Sequence, residues 1–320
     1  MTLAGGARVG DCLARRFLHV NLNCASLEAT EEIYGKAMDL VARMRTDPTV
    51  ASDGSVLGLD GETYCETAFL YDSRGARGGC ALEIIEYRVP VLARDTDTNP
   101  ARPGIRAAHL AVSDLHRTAA TLRRAGLTVG EPIDGLIGGV TSILAVDHDG
   151  VVIELSQIEG GGASNLVQFN GIRICAIDAA ATGSFLRAIG FAELMPPIAV
   201  PVAGEQLSPH GPTDTVDCVV GRYALAEDRH QFSLVVVEHP NTDSAPVPWG
   251  GNRQGIYRCA LRVESVHDAL AQIPDHVEQV GSPVWIPLPG TKIDGLYVAF
   301  LRSPEGVVFE LVERPLAYFS

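Results

Sequence analysis

A histidine followed some distance on by a glutamate occurs twice in the first half of the chain, as His19 with Glu83 and as His109 with Glu154. All four sit in short apolar stretches that read as β-strands. Two imidazoles and two carboxylates are donors that suit a divalent first-row ion such as Fe, Ni, Co, Mn or Zn. With coordination positions left open, such an ion acts as a Lewis acid on a carbonyl or hydroxyl oxygen.

Strand alternation sorts the neighbouring polar groups by face. His19, Asn21 and Asn23 share a face with Phe17, while Leu18, Val20 and Leu22 share the other, so the first face reads as a polar cavity wall. Glu83 lies with Ala81, Ile85 and Tyr87, and Glu86 points the opposite way, as a solvated or salt-bridged acid. His109 lies with Ala107 and Ala111, whose small side chains leave room for an imidazole, and Glu154 lies with Val152 and Ser156. Asp147, His148 and Asp149 are accounted for by turn chemistry. Trp249 reads as a loop anchor for the second half, and His210, His230 and His239 have no partner pattern.

These residues need elements to position them, and a repeat provides them. DHDGVVIEL at 147–155 returns as SPEGVVFEL at 303–311, which places Glu154 and Glu310 156 residues apart. Each copy is a tight turn ending in glycine and running into a strand with one carboxylate. Each half divides again into a strand, an Asp or Ser start signal, an amphipathic helix and further strands. The four strand–helix pairs are expected at 17–24 with 27–38, 107–112 with 115–125, 171–176 with 179–189, and 256–263 with 266–273. Gly126, Gly190 and Pro274 stop three of the helices. Breaker-rich stretches at 95–104 and 240–255 separate units within halves. EGGGAS at 159–164 reads as the linker between domains at 1–158 and 165–320.

Composition bounds the function classes. The 320 residues carry a formal net charge of −14, with 46% hydrophobic and 20% charged residues. That is ample for packed cores and excludes a disordered chain. Nucleic acid is excluded as a partner because no basic stripe appears. No apolar run is long enough to span a membrane, and the N-terminal residues lack the apolar core of a secretory signal. The seven cysteines are scattered with no CxxC pair, which fits reduced thiols in the cytoplasm.

The repeated βαβββ order, with strands ending LEIIEY and VVIELS, resembles the vicinal oxygen chelate superfamily. That family includes glyoxalase I, methylmalonyl-CoA epimerase, extradiol dioxygenases and the bleomycin and fosfomycin resistance proteins. The resemblance implies an α+β fold of four βαβββ modules, forming two tandem domains with curved mixed sheets around a cavity. It also implies one divalent metal held by His19 in FLHVNL, Glu83 in ALEII, His109 in AAHLAV and Glu154 in VIELS. At the matching positions the second half offers Gly171, about Val235, Arg258 and Glu310, and so reads as a degenerate copy that walls the cavity.

By the same resemblance, the chain is a metal-dependent isomerase or epimerase of a small α-hydroxycarbonyl or polyhydroxylated substrate. Either Glu83 or Glu154 would leave the metal to act as the catalytic base, and the metal would hold the enediolate. The phrase GIYRCAL at 255–261 looks like family members that epimerise cyclitol precursors in natural-product pathways. An extradiol dioxygenase built on His19, His109 and Glu154 is the alternative within the enzymes, and an antibiotic-binding resistance protein is the alternative outside them. Modules of this family pair within a chain or swap between chains, so a homodimer is left open.

Overall fold

The computed structural model describes residues 13–160, 166–228, 231–287 and 295–316. The N-terminal stretch, Cys12, linker residues 161–164 and His230 lie outside them. The first module runs β1 (Arg16–Asn23), a helix at Leu27–Glu31, β2 (Val41–Arg45), β3 (Ser52–Asp53), β4 (Glu62–Tyr71) and β5 (Ala81–Val89). The second runs β6 (Gly104–Val112), a helix at Leu115–Arg124, β7 (Thr128–Asp134), β8 (Thr141–Val146) and β9 (Val152–Gln157). The third runs β10 (Val167–Cys175), a helix at Ala179–Ala188, β11 (Ala192–Ala203), β12 (Thr215–Ala224) and β13 (Ser233–Glu238). The fourth runs β14 (Gly255–Val263), a helix at Val266–Gln272, β15 (Glu278–Pro287), β16 (Gly295–Arg302) and β17 (Val308–Glu313). This is the expected α+β arrangement of four βαβββ modules in two curved mixed sheets.

The strands do not pair by halves. One sheet has the order β15-β16-β17-β14-β1-β5-β4-β2 and joins the fourth module to the first. The other has the order β11-β12-β13-β10-β6-β9-β8-β7 and joins the third to the second. Neither sheet is confined to the stretches 1–158 or 165–320. The joints are the antiparallel pairs β1–β14 and β6–β10, formed where the first strand of one module meets the first strand of another. Below we call these the outer-module sheet (first and fourth) and the inner-module sheet (second and third).

One hydrogen bond repeats in all four modules and fixes each helix to its last strand. The first helical N–H is accepted by a side chain near the strand's end: Leu27 N by Glu86 at 2.8 Å, Leu115 N by Gln157 at 2.9 Å, Ala179 N by Glu238 at 2.8 Å and Val266 N by Glu313 at 3.0 Å. Those N–H groups have no partner within the helix, and three of the acceptors are acids set against the positive end of the helix dipole. Side-chain caps from Ser26, Asp114, Asp178 and Ser265 complete each start. Glu86, expected to be a solvated or ion-paired acid, does lie 3.7 Å from Arg88 and is in addition a helix latch. Its three-residue offset from Glu83 turns it to the opposite face.

The helix-side faces of both sheets share one apolar core, which contains Phe17, Val20 and Leu22 of β1 with Phe169 and Ile172 of β10. Phe232 packs against both Phe17 and Phe169, with ring centroids 4.4 and 5.1 Å away. Buried acids tie the sheets together. Asp228 accepts from Phe17 N and Asp72 from Phe169 N, a matched pair relating first and third modules. The Asp149 carboxylate accepts from Ala25 N, Thr30 Oγ1 and Gln254 Nε2, and Glu305 takes the equivalent hydroxyl, Thr182 Oγ1. The turn at 147–149 is thus an inter-module tie as well as a turn. Trp249 anchors the first module rather than the second half alone, because its indole covers Gly58, where an added Cβ would lie 2.0 Å from Nε1. The described cysteines are free.

Candidate functional site

The four expected ligands do not meet. His19 and Glu83 lie on β1 and β5 of the outer-module sheet, and His109 and Glu154 lie on β6 and β9 of the inner-module sheet. The strand pairing described above is the physical reason. It also separates His19 from the His109 and Glu154 of the dioxygenase triad.

Around His109 and Glu154 the donors are already used. The Glu154 carboxylate accepts backbone N–H groups from Leu136, Ile137 and Gly138, the last at 2.7 Å, and is fully buried. His109 Nε2 is 2.9 Å from Ser156 Oγ. Arg222 clamps the same loop by donating to the carbonyls of Ile137 and Leu136. The loop leaves no space at the imidazole, since a Cβ on Gly138 would lie 2.8 Å from His109 Nε2. Burial lowers the His109 pKa, with Glu154 opposing. Apolar residues including Ile137, Leu207, Val220 and Val235 fill the rest of this concave face. This is a closed anion nest that pins a loop.

The outer-module sheet has a different centre. Strand register sets Asn21 of β1 beside Glu83 of β5 on one flank and Arg258 of β14 on the other. The Arg258 guanidinium donates through Nη2 to Glu83 Oε2 at 3.0 Å and through Nε to Glu310 Oε2 at 3.1 Å. His19 Nε2 lies 3.4 Å from Glu83 and 3.9 Å from Glu310. Phe69 presents its ring edge-on to the imidazole, with centroids 5.3 Å apart. Cys65, Thr67 and Phe69 of β4 stand opposite Tyr87, Ile85 and Glu83 and extend the wall.

Burial sets the electrostatics of this cluster. It brings the His19 pKa down to about 4, with Glu310 opposing and Arg258 assisting, so the imidazole is neutral at physiological pH. It raises the Glu83 carboxyl against the pull of Arg258. It would also lower the Arg258 pKa, but Glu83 and Glu310 outweigh it and hold the guanidinium charged. Several buried polar atoms here have no hydrogen-bond partner: His19 Nε2, both amide atoms of Asn21, and Arg258 Nη1. Buried polar atoms are normally paired, so this cluster of unpaired ones has hydrogen-bonding capacity left for ordered water or a ligand's polar groups.

The register also corrects the sequence match for Arg258. Leu18 of β1 and Asn170 of β10 are extra residues at bulges, after which His19 pairs with Ala260 and Gly171 with His109. Ala260 is therefore the counterpart of His109, and Arg258 the counterpart of Ala107. The same bulge turns Leu18 away from Val20 and Leu22, onto the concave-side cluster with Tyr257 and Ala260. Arg258 reaches the carboxylates from two residues away because its side chain is long. The expected wall residue Asn21 is in the centre, whereas Asn23 is turned to the carbonyls of Gly251 and Arg253. Tyr64 donates to Glu62 and takes no part.

A resident divalent metal does not fit this arrangement. His19, Glu83 and Glu310 offer N and O donors, yet the cation between the two carboxylates is a guanidinium, and the fourth position carries the methyl of Ala260. Among the described residues, no group of three or more His, Cys, Asp or Glu is arranged to hold a metal ion.

Comparison with known proteins agrees with the fold. The model of the Glyoxalase/Bleomycin resistance protein/Dioxygenase superfamily matches residues 16–155. Glyoxalase I from Zea mays shares 17% identity with a TM-score of 0.65, covering 96% of this chain and 94% of its own. Its V278E mutant shares 18% identity at the same TM-score and coverage. A candidate dioxygenase from Bacillus subtilis shares 14% identity at a TM-score of 0.59, covering 96% of this chain and 88% of its own. At these identities the likeness shows the fold alone. No curated protein sequence matches the chain.

Proposed function

We propose that this chain, whose residues 16–155 match the model of the Glyoxalase/Bleomycin resistance protein/Dioxygenase superfamily, is an isomerase or epimerase moving a proton beside a carbonyl, at the His19–Glu83–Arg258–Glu310 centre. The observation that carries this reading is a buried carboxylate with raised pKa beside unpaired hydrogen-bond donors, Arg258 Nη1 and Asn21 Nδ2. A base near its proton and donors near the developing oxyanion are the two requirements of enolisation.

Glu83 takes the proton from the carbon next to the carbonyl. The C–H electron pair becomes the new C=C bond, and the carbonyl π pair moves onto oxygen. Arg258 Nη1 and Asn21 Nδ2 donate to that oxygen. Return of a proton to the opposite face of the same carbon epimerises it. Delivery to the former carbonyl carbon, with the neighbouring hydroxyl proton passing to the former carbonyl oxygen, completes an isomerisation. His19, neutral and 3.4 Å from Glu83, is positioned to relay the proton.

The substrate class that suits this wall is a small α-hydroxyketone or polyhydroxylated cyclic ketone. The test is deuterium incorporation from D2O at the carbon beside the carbonyl, followed by NMR across a panel of such ketones. Exchange that disappears in Glu83→Gln supports the reading. Oxygen uptake with a catechol would replace it with a dioxygenase. Binding of an antibiotic with no exchange on any ketone would replace it with a sequestering protein. No helix among the described residues is long and apolar enough to cross a membrane.

A further inference from the structure

We infer that Arg258 is the resident cation of the outer-module centre, standing where a divalent metal would have to sit, and that the centre holds its substrate without one. This rests on the reading of that centre as the working site. Charge balance is the first argument. The guanidinium contacts both Glu83 and Glu310 at 3.0 and 3.1 Å, and Arg258 as a residue is 7% exposed. A dication binding the same oxygens would force the guanidinium out of a site where it is paired into one where it is not. Stranding a buried charge in that way is strongly unfavourable.

The second argument is the donor set. A four-donor centre on this sheet would be His19, Glu83, Glu310 and the residue at 260, since Ala260 is the register counterpart of His109. A methyl there cannot ligate, and the side chain filling the gap arrives from 258 instead. In the inner-module sheet the equivalent carboxylate, Glu154, is consumed by backbone N–H groups. The cation of this centre is therefore supplied by the chain itself. Unlike a metal, it offers an oxyanion a directional N–H, Arg258 Nη1, which has no partner within the protein.

The test uses the full-length chain purified without chelators. Elemental analysis for Fe, Ni, Co, Mn and Zn should find far less than one ion per chain, and titration calorimetry with Co2+ should show no saturable site. In Arg258→Ala combined with Ala260→His, one Co2+ per chain should bind with a visible absorption band, and Tm should rise on adding Co2+. Should that double variant fail to fold, Ala260→His alone still decides the point, because the retained guanidinium should keep Co2+ out. About one divalent ion per wild-type chain, with occupancy lowered by Glu83→Gln, would overturn the inference. Deuterium exchange separates the two readings. Exchange that depends on bound metal overturns this inference and leaves the isomerase standing. A metal-free protein with no exchange on any ketone does the reverse.

Discussion

Arg258 Nη2 lies 3.0 Å from Glu83 Oε2, across 175 residues of sequence. The contact exists because β1 pairs with β14, so that the first and last modules share a sheet. It joins the chain's ends chemically as well as topologically, and it sets the character of the centre.

Removing this guanidinium leaves two buried carboxylates facing each other. Arg258→Ala should lower stability by about 3–5 kcal/mol at neutral pH, the usual cost of stranding one side of a buried ion pair. Arg258→Lys should recover only part of this, because an ammonium cannot present the planar fork that contacts both acids. Urea denaturation at fixed pH measures both. Equal stability of Arg258→Ala and wild type would mean the pair contributes nothing.

The four helix latches should behave as equivalent parts. Glu86→Ala and Glu238→Ala should each cost about 1 kcal/mol, typical of a lost cap or hydrogen bond to a charged acceptor. They sit in different sheets and share no partner, so the double variant should show the sum. Glu131→Ala is the control, since the Glu131 side chain is 87% exposed and only loosely paired. Chemical denaturation of the four variants distinguishes latches from ordinary surface acids.

Stability should also depend on pH through two buried aspartates. Asp147 and Asp228 have an ordinary pKa of 3.8, and burial raises each to about 7. Between those values the folded protein binds protons that the unfolded chain has released. Their contribution to stability is therefore fully present below pH 3.8 and is lost as pH rises through 7. The advantage in urea midpoint of wild type over Asp147→Asn with Asp228→Asn should shrink between pH 5 and 8, a difference from which the opposing contribution of the depressed His19 cancels. A wild-type advantage that grows over this range would contradict the sign.

The module plan was legible because it is local. Turn, strand and helix-start signals repeat within each unit, and the Glu310 counterpart of Glu154 stands out in SPEGVVFEL. The latch is equally local, as Glu86, Glu238 and Glu313 each follow three residues after positions 83, 235 and 310, but an acid at the end of a strand carries no sequence mark that separates a helix latch from a solvated or ion-paired charge. What the sequence concealed was non-local. Which first strand pairs with which is a contact between segments far apart along the chain, β1 with β14 and β6 with β10. Without that pairing, His19 and His109 look like halves of one centre. The bulge at Leu18 also shifts the register, so Arg258 aligned with His109 where Ala260 belongs.

The two glutamates chosen from sequence should then separate in experiment. Glu83 faces unpaired donors, whereas Glu154 is wrapped by three backbone N–H groups beneath a loop that Arg222 also clamps. Glu154→Gln replaces one charged acceptor oxygen by an NH2 that cannot accept from those amides. It should cost about 1–3 kcal/mol, from lost charge-assisted bonds and a donor facing donors. Proton exchange at the outer-module centre should persist with little change in kcat. Glu83→Gln should remove exchange by two orders of magnitude or more, because the amide cannot take the proton, while Arg258 keeps Glu310 as its buried partner. Parallel urea denaturation and deuterium-exchange rates on the two variants read both effects. Loss of exchange in Glu154→Gln at full folding would return the chemistry to the inner-module sheet.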